Sequence, residues 1–174
     1  MKQGENELVL RSCFHKYHPG FEAIFLLGEF CVKDDVITAL TDELNIGDYC
    51  KQGFTYYAGN MEYRHTFRVE ERGEKRIWLK IGDWRGCALG VSVNGSEVKL
   101  LPWPPYQLDI TDYLCDGDNE VCITVYGHRR NAFGPFYLNE ASPSWVGPAQ
   151  FKAYLQSERQ LVPCGLLTAP EICF

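Results

Sequence analysis

No stretch of the 174 residues comes near the roughly 18 consecutive apolar side chains that a membrane-spanning helix needs. Positive charge is scarce as well. Seventeen Lys and Arg stand against 23 Asp and Glu, a net of −6, the wrong sign for a surface that must neutralise phosphates, so no nucleic-acid partner is expected. The densest basic cluster, RGEKR at residues 72–76, reads as a solvated turn. Neither GxGxxG nor GxxxxGKS/T occurs, which excludes the common glycine-rich phosphate loops, and no GxSxG elbow presents a nucleophilic serine. The opening MKQGENELVLR lacks an apolar signal core, so nothing in it marks the chain for export. Helical periodicity is missing beyond a single turn at TDYL, residues 111–114, where Thr111 is the expected cap. Internal repeats, low-complexity tracts and linkers are absent too, and residues 1–174 read as one domain.

What is present points to short strands joined by tight turns: 45% hydrophobic residues, 14% aromatics, 16 Gly and 9 Pro. Met61, Tyr63, His65, Phe67 and Val69 alternate with polar residues, as the two faces of a half-buried strand do. RIWLKIG repeats the pattern with Ile77, Leu79 and Ile81, ALGVSVNG with Leu89, Val91 and Val93, and NEVCITVYG with Val121, Ile123 and Val125. Asn94-Gly95 is a strong hairpin signal, because both residues accept the positive φ of a type I′ turn. DGDN at residues 116–119 predicts a second reversal, in which Gly117 supplies left-handed backbone and Asn119 bonds its own main chain. Asp109 and Thr111 are placed to tie off backbone donors where a strand gives way to the short helical turn. FEAIFLLGEFCVK reads as one or two buried strands broken at Gly28, and AQFKAYL and RQLVPCGLL as closing strands. About ten strands in all predict an all-β jelly-roll sandwich.

Eight cysteines are scattered without close spacing, several in apolar contexts such as EFCVK and EVCITV. Most read as small hydrophobes of a reducing compartment, which favours the cytoplasm; pairing among a few stays open. CFHKYH gathers Cys13, His15 and His18 but lacks the second ligand group of a structural zinc site. Asp112, Asp116, Asp118 and Glu120 lack the spacing of a calcium loop and read as turn formers. No metal and no cofactor is expected.

The block from Val91, VSVNGSEV, through YQLDITDYLCDGDNEVCITVYG resembles the sugar-binding jelly-roll modules, of galactose-binding-like fold, that accompany catalytic barrels in family 2 glycoside hydrolases. It is also similar to the accessory β-domains of α-L-rhamnosidases. GEFCVK at Gly28, QGFTYYAG at Gln52 and RRNAFGPF at Arg129 resemble further segments of the same domains, so that the likeness runs over residues 21–165. In such enzymes, the resemblance implies, the catalytic carboxylates sit on a separate barrel. The chain is therefore expected to be a non-catalytic module of a larger glycosidase, with carbohydrate and that barrel as its partners. Hydrolysis of a glycoside needs two facing carboxylates, and the acids here sit in turns and on solvated strand faces.

Three loops are candidates for carbohydrate contact. In LPWPPYQL, the prolines hold Trp103 and Tyr106 on a stiff support, and a flat ring with a polar edge suits the apolar face and hydroxyl rim of a sugar. The same two rings also suit the closing of a sandwich end or packing on a neighbouring domain. GDWRG sets Trp84 and Arg85 between glycines, and a guanidinium offers a planar fork of donors. GHRRNAFG contributes His128, Arg130 and Asn131 after another strand end. A structural domain with no ligand of its own, docked on the barrel, is the alternative.

Overall fold

The computed structural model describes the chain except for residues 1, 3, 19, 22, 23, 42, 71, 72, 74 and 136–157. Its described residues form an all-β sandwich whose elements follow from the alternating sequence. β1 (Cys31–Lys33) and β2 (Val36–Thr38) make a short hairpin, and a 3₁₀ turn covers Tyr49–Gln52. Next come β3 (Met61–Val69), β4 (Trp78–Lys80), β5 (Trp84–Arg85), β6 (Ala88–Val93), β7 (Ser96–Leu101) and β8 (Gln107–Asp109). A second 3₁₀ turn, Thr111–Tyr113, leads into β9 (Gly117–Tyr126), a single helical turn α1 (Arg130–Phe133), and finally β10 (Gly165–Leu166) and β11 (Glu171–Cys173).

One layer is a four-stranded sheet in the order β3-β9-β6-β7; the other is three-stranded, β11-β4-β8. All pairings within them are antiparallel. Strand alternation sends Leu89, Val91 and Val93 of β6 and Val121, Ile123 and Val125 of β9 to the same side, where they meet Leu79 and Leu108 of the facing sheet. Ile77, Ile110 and Leu166, each 0% exposed, complete this core, and each such side chain contributes about 1.5–3 kcal/mol by leaving water.

The outer face of β3 and β9 carries charge instead. Arg64 bonds Glu62 at 2.6 Å and reaches Glu120 at 3.4 Å across the pair, while Arg68 reaches Asp118 at 3.2 Å. Being exposed, these pairs are worth little each, and their contribution is to keep that face wet. His65 shares the inward register of β3 yet is exposed.

The turn chemistry works largely as the residue types dictate. Asn94 and Gly95 have φ of 51° and 77° and join β6 to β7 with Val93 opposite Ser96. Gly117 has φ 99° at the start of β9. Asp109 Oδ1 accepts the Thr111 N–H at 3.0 Å and the Thr111 hydroxyl at 2.5 Å, and Thr111 Oγ1 in turn accepts the Ile77 N–H at 2.8 Å. Thr111 is therefore a clasp between β4 and the turn and not its cap, a position held by Ile110. The hydroxyl bond from Thr111 holds the Asp109 carboxyl below the usual carboxylate range.

Two strand expectations fail. Of the described residues of FEAIFLLGEFCVK, Cys31–Lys33 alone enters a strand, while Ile24, Phe25, Leu26 and Leu27 are exposed. An apolar run becomes a buried strand only where a partner surface exists, and among the described residues this run gains little beyond Phe25 against Phe133, with ring centroids 4.7 Å apart. From RQLVPCGLL only Gly165–Leu166 pairs, because Gln160, Leu161 and Val162 run as irregular chain, and closure of the three-stranded sheet falls to β11. AQFKAYL lies outside the described residues. All eight cysteines are unpaired; Cys31, Cys50, Cys122 and Cys164 are buried, and Cys13, Cys87 and Cys115 exposed.

Candidate functional site

The loop that follows β4 is pinned from both sides. Ile81 N–H donates to the Tyr106 carbonyl at 2.9 Å, and the Asp83 N–H donates to Thr168 Oγ1 at 2.8 Å, while the Asp83 carbonyl accepts the Leu167 N–H at 2.9 Å. β5 then pairs with β10, Trp84 opposite Leu166 and Arg85 opposite Gly165. These ties leave a depression of about 250 Å³ lined by Gly82, Asp83, Trp84, Arg85, Gly86 and Tyr106. Three of the expected contact residues thus meet. The Trp84 ring stands perpendicular to that of Tyr106 with centroids 5.0 Å apart and is only 9% exposed, so it serves chiefly as core. Arg85 is exposed, bonded to Asp83 Oδ1 at 2.5 Å and to the Trp84 carbonyl at 2.8 Å. Asp83 is the sole carboxylate on this lining, short of the two that glycoside hydrolysis requires.

Trp103 lies between β7 and β8, 73% exposed and followed by the cis Pro104–Pro105 peptide. The prolines thus divide the two aromatics of the loop. Tyr106 turns inward onto the core, and Trp103 faces solvent.

His128, Arg130 and Asn131 belong to a second cluster. Asn131, 2% exposed, is held inside: its Oδ1 accepts the Val162 N–H at 3.0 Å and its Nδ2 donates to the Val162 carbonyl at 2.9 Å, so that the side-chain amide acts as a strand neighbour. The same Nδ2 points at Cys50 Sγ, 3.2 Å away, with Cys164 Sγ at 3.9 Å. His128 Nδ1 accepts the Arg130 N–H at 3.3 Å. A neutral ring in that arrangement carries its proton on Nε2, which faces Cys164 Sγ at 3.4 Å.

Four residues of this cluster escape sequence reading: Asp48, Tyr49, Cys50 and Cys164. Asp48 caps the 3₁₀ turn by accepting the Cys50 N–H at 3.0 Å, and the same oxygen accepts the Cys164 N–H at 3.0 Å. The cap has a readable signal, an Asp directly before the turn; its second bond joins positions 116 apart in the chain and has none. Gly165 follows with φ 102°, and a Cβ there would stand 2.8 Å from the Tyr49 ring, so only glycine lets the two segments close. Within the cluster, the hydrogen bond from Cys50 draws the Cys164 thiol below its ordinary range against the effect of burial. Cys50 is pushed up by that same bond and by burial, and burial raises Tyr49.

No family model matches the chain, and no curated protein matches it. Among solved structures it is similar to a rhamnosidase from Novosphingobium sp. PP1Y: 25% identity and a TM-score of 0.56, over 84% of this chain and 14% of that one. The chain resembles one piece of a much larger enzyme. Weaker likenesses are to a β-glucuronidase from Bifidobacterium dentium (22% identity, TM-score 0.49, 76% of this chain and 25% of that one) and to a glycosyl hydrolase family 2 member from Bacteroides cellulosilyticus (20%, 0.41, 66% and 12%).

Proposed function

We propose that the chain is a non-catalytic module of a glycoside hydrolase, of galactose-binding-like fold, which contacts carbohydrate beside a separate catalytic barrel. The observation that carries this reading is the rhamnosidase likeness, in which 84% of this chain corresponds to 14% of the larger one. The depression at Arg85 supports it chemically: a guanidinium, a carboxylate and two aromatic side chains are groups that grip sugar hydroxyls and C–H faces, and Trp103 adds an exposed ring. Such an open, shallow site suits weak binding, about millimolar or roughly −4 kcal/mol.

Titration of the chain with L-rhamnose and rhamnose-containing oligosaccharides, followed by NMR, tests the site. Shifts centred on residues 82–86 and Tyr106 that vanish in Arg85→Ala are expected. Shifts that survive both Arg85→Ala and Trp103→Ala remove the site from this loop. Turnover of an aryl rhamnoside by the chain alone would overturn the non-catalytic assignment.

A second reading has an observation of its own. Leu8, Val9, Leu10, Phe14, Tyr17, Phe21, Phe25 and Leu27 are all exposed, apolar side chains that a covering partner would take out of water. In that reading the parent chain's catalytic barrel covers this surface and the module is purely structural. A stable complex with the separately expressed barrel, without any saccharide-induced shift, favours it.

A further inference from the structure

We propose that Cys50 and Cys164 form a reversible redox couple, closed to a disulfide by hydroperoxides and reopened by small thiols. The inference is independent of carbohydrate binding. Its basis is the way the fold brings two remote cysteines together. One carboxylate oxygen, Asp48 Oδ1, accepts the backbone N–H of both at 3.0 Å, which ties the two remote backbones to a single acceptor. A further backbone bond, Tyr49 N–H to the Cys164 carbonyl at 3.1 Å, fixes the segments side by side. Both sulfurs turn to one place: Cys50 Sγ lies 3.6 Å and Cys164 Sγ 3.7 Å from the Val162 carbonyl, and both face Asn131 Nδ2.

The surroundings give the two sulfurs different tasks. Cys164 has several donors near it, the Cys50 thiol, the Tyr49 hydroxyl, His128 Nε2 at 3.4 Å and Asn131 Nδ2 at 3.9 Å, and these favour its thiolate. Cys50 keeps its proton and lines a cleft of about 390 Å³ together with Lys51, Thr55, Tyr56 and Arg159. The exposed thiols Cys13, Cys87 and Cys115 are easier to reach, and Cys115 faces acceptors, the Asp118 carbonyl and Asn119 Oδ1, in place of donors.

The reaction runs in two steps. The Cys164 thiolate attacks one oxygen of hydrogen peroxide; an S–O bond forms, the O–O bond breaks, and hydroxide leaves to be protonated to water. Cys164 is then a sulfenic acid. The Cys50 sulfur displaces the hydroxyl from it, the S–S bond forms, and the Cys50 proton departs with that hydroxyl as a second water. Two thiols have been oxidised by two electrons and one peroxide reduced to two waters. A small dithiol reverses the step by exchange. The closed bond would staple the Tyr49–Gln52 turn to the residue just before β10, the strand that holds the loop of Trp84 and Arg85.

The test is peptide mapping of the full chain after hydrogen peroxide treatment, alkylation of remaining thiols and digestion without reductant. The expected result is one cross-linked peptide pair, Cys50 with Cys164, a mass loss of about 2 Da, return of both thiols with dithiothreitol, and a thermal midpoint raised by about 5–10 °C in the oxidised form. Cys50→Ser is expected to trap the sulfenic acid on Cys164 as a dimedone adduct. Links through Cys13, Cys87 or Cys115 in place of the pair, or sulfinic acids on both residues without a link, would overturn the proposal. Because the mapping uses the unaltered chain, it decides even where a serine variant fails to fold.

Discussion

Asn119 and Asn131 are the two buried polar side chains among the described residues, 1% and 2% exposed, and they organise opposite kinds of structure. Asn119 works mostly within its own turn, with one bond to the neighbouring hairpin. Its Oδ1 accepts from the Cys115 N–H at 2.9 Å and from Asn94 Nδ2 at 2.8 Å, and its Nδ2 donates to the carbonyls of Cys115 at 2.8 Å and Gly117 at 3.0 Å. All four bonding positions of the amide are filled. Asn131 works at long range, joining α1 to Val162 and to two sulfurs. Sulfur is a poor acceptor, so the second amide sits in a softer and more reactive setting. One asparagine closes a turn, and the other assembles a chemical environment.

This contrast can be broken experimentally. Asn119→Ala should have the largest effect, about 3 kcal/mol lost in urea unfolding, because it removes a buried amide that makes four hydrogen bonds at once. If Asn94→Ala in the same background adds little further, the two amides form one network, as their 2.8 Å bond implies. Asn131→Ala should cost less, about 2 kcal/mol, since Val162 loses a partner near the surface, and it should also change the reactivity of Cys164 towards a thiol reagent. An equal loss of stability with unchanged thiol reactivity would erase the distinction between the two corners.

Acid provides a finer probe. The Asp109 carboxyl titrates below its unfolded value, so the stability it contributes is present above the ordinary carboxylate range and is lost as pH falls through the depressed folded value. Asp109→Asn should flatten that part of the acid unfolding curve; an unchanged curve would mean that the Thr111 clasp does not depend on charge. Trp103→Ala is expected to do least, leaving stability within about 0.5 kcal/mol, because its ring is 73% exposed.

The same contrast explains what could be read from the sequence. Period-two alternation located β3, β6 and β9, since every second residue meets the facing sheet, and the turns at Asn94-Gly95 and Gly117 followed from left-handed backbone. Those signals are local. Asn119, named for its local bonds, proved to hold a whole corner for the same reason. Trp84, Arg85 and Tyr106 were singled out by residue type, and their meeting depends on the Ile81–Tyr106 bond and on β10, which two residues of sequence hardly announce. His128 and Asn131 follow a strand end and are candidates for carbohydrate contact by residue type alone, whereas the Asn131 side chain is buried against Val162 and the cysteines. The run from Phe21 misled for the converse reason: apolar character states a need for cover without naming what provides it.

Among the described residues β3 forms one border of its sheet, and a border strand is where another chain can add to it. The ion pairs of Arg64 and Arg68 acquire a purpose there. They burden the outer face with charge that a growing stack of like strands would have to bury, which disfavours such stacking at the place where the regular pattern is most pronounced.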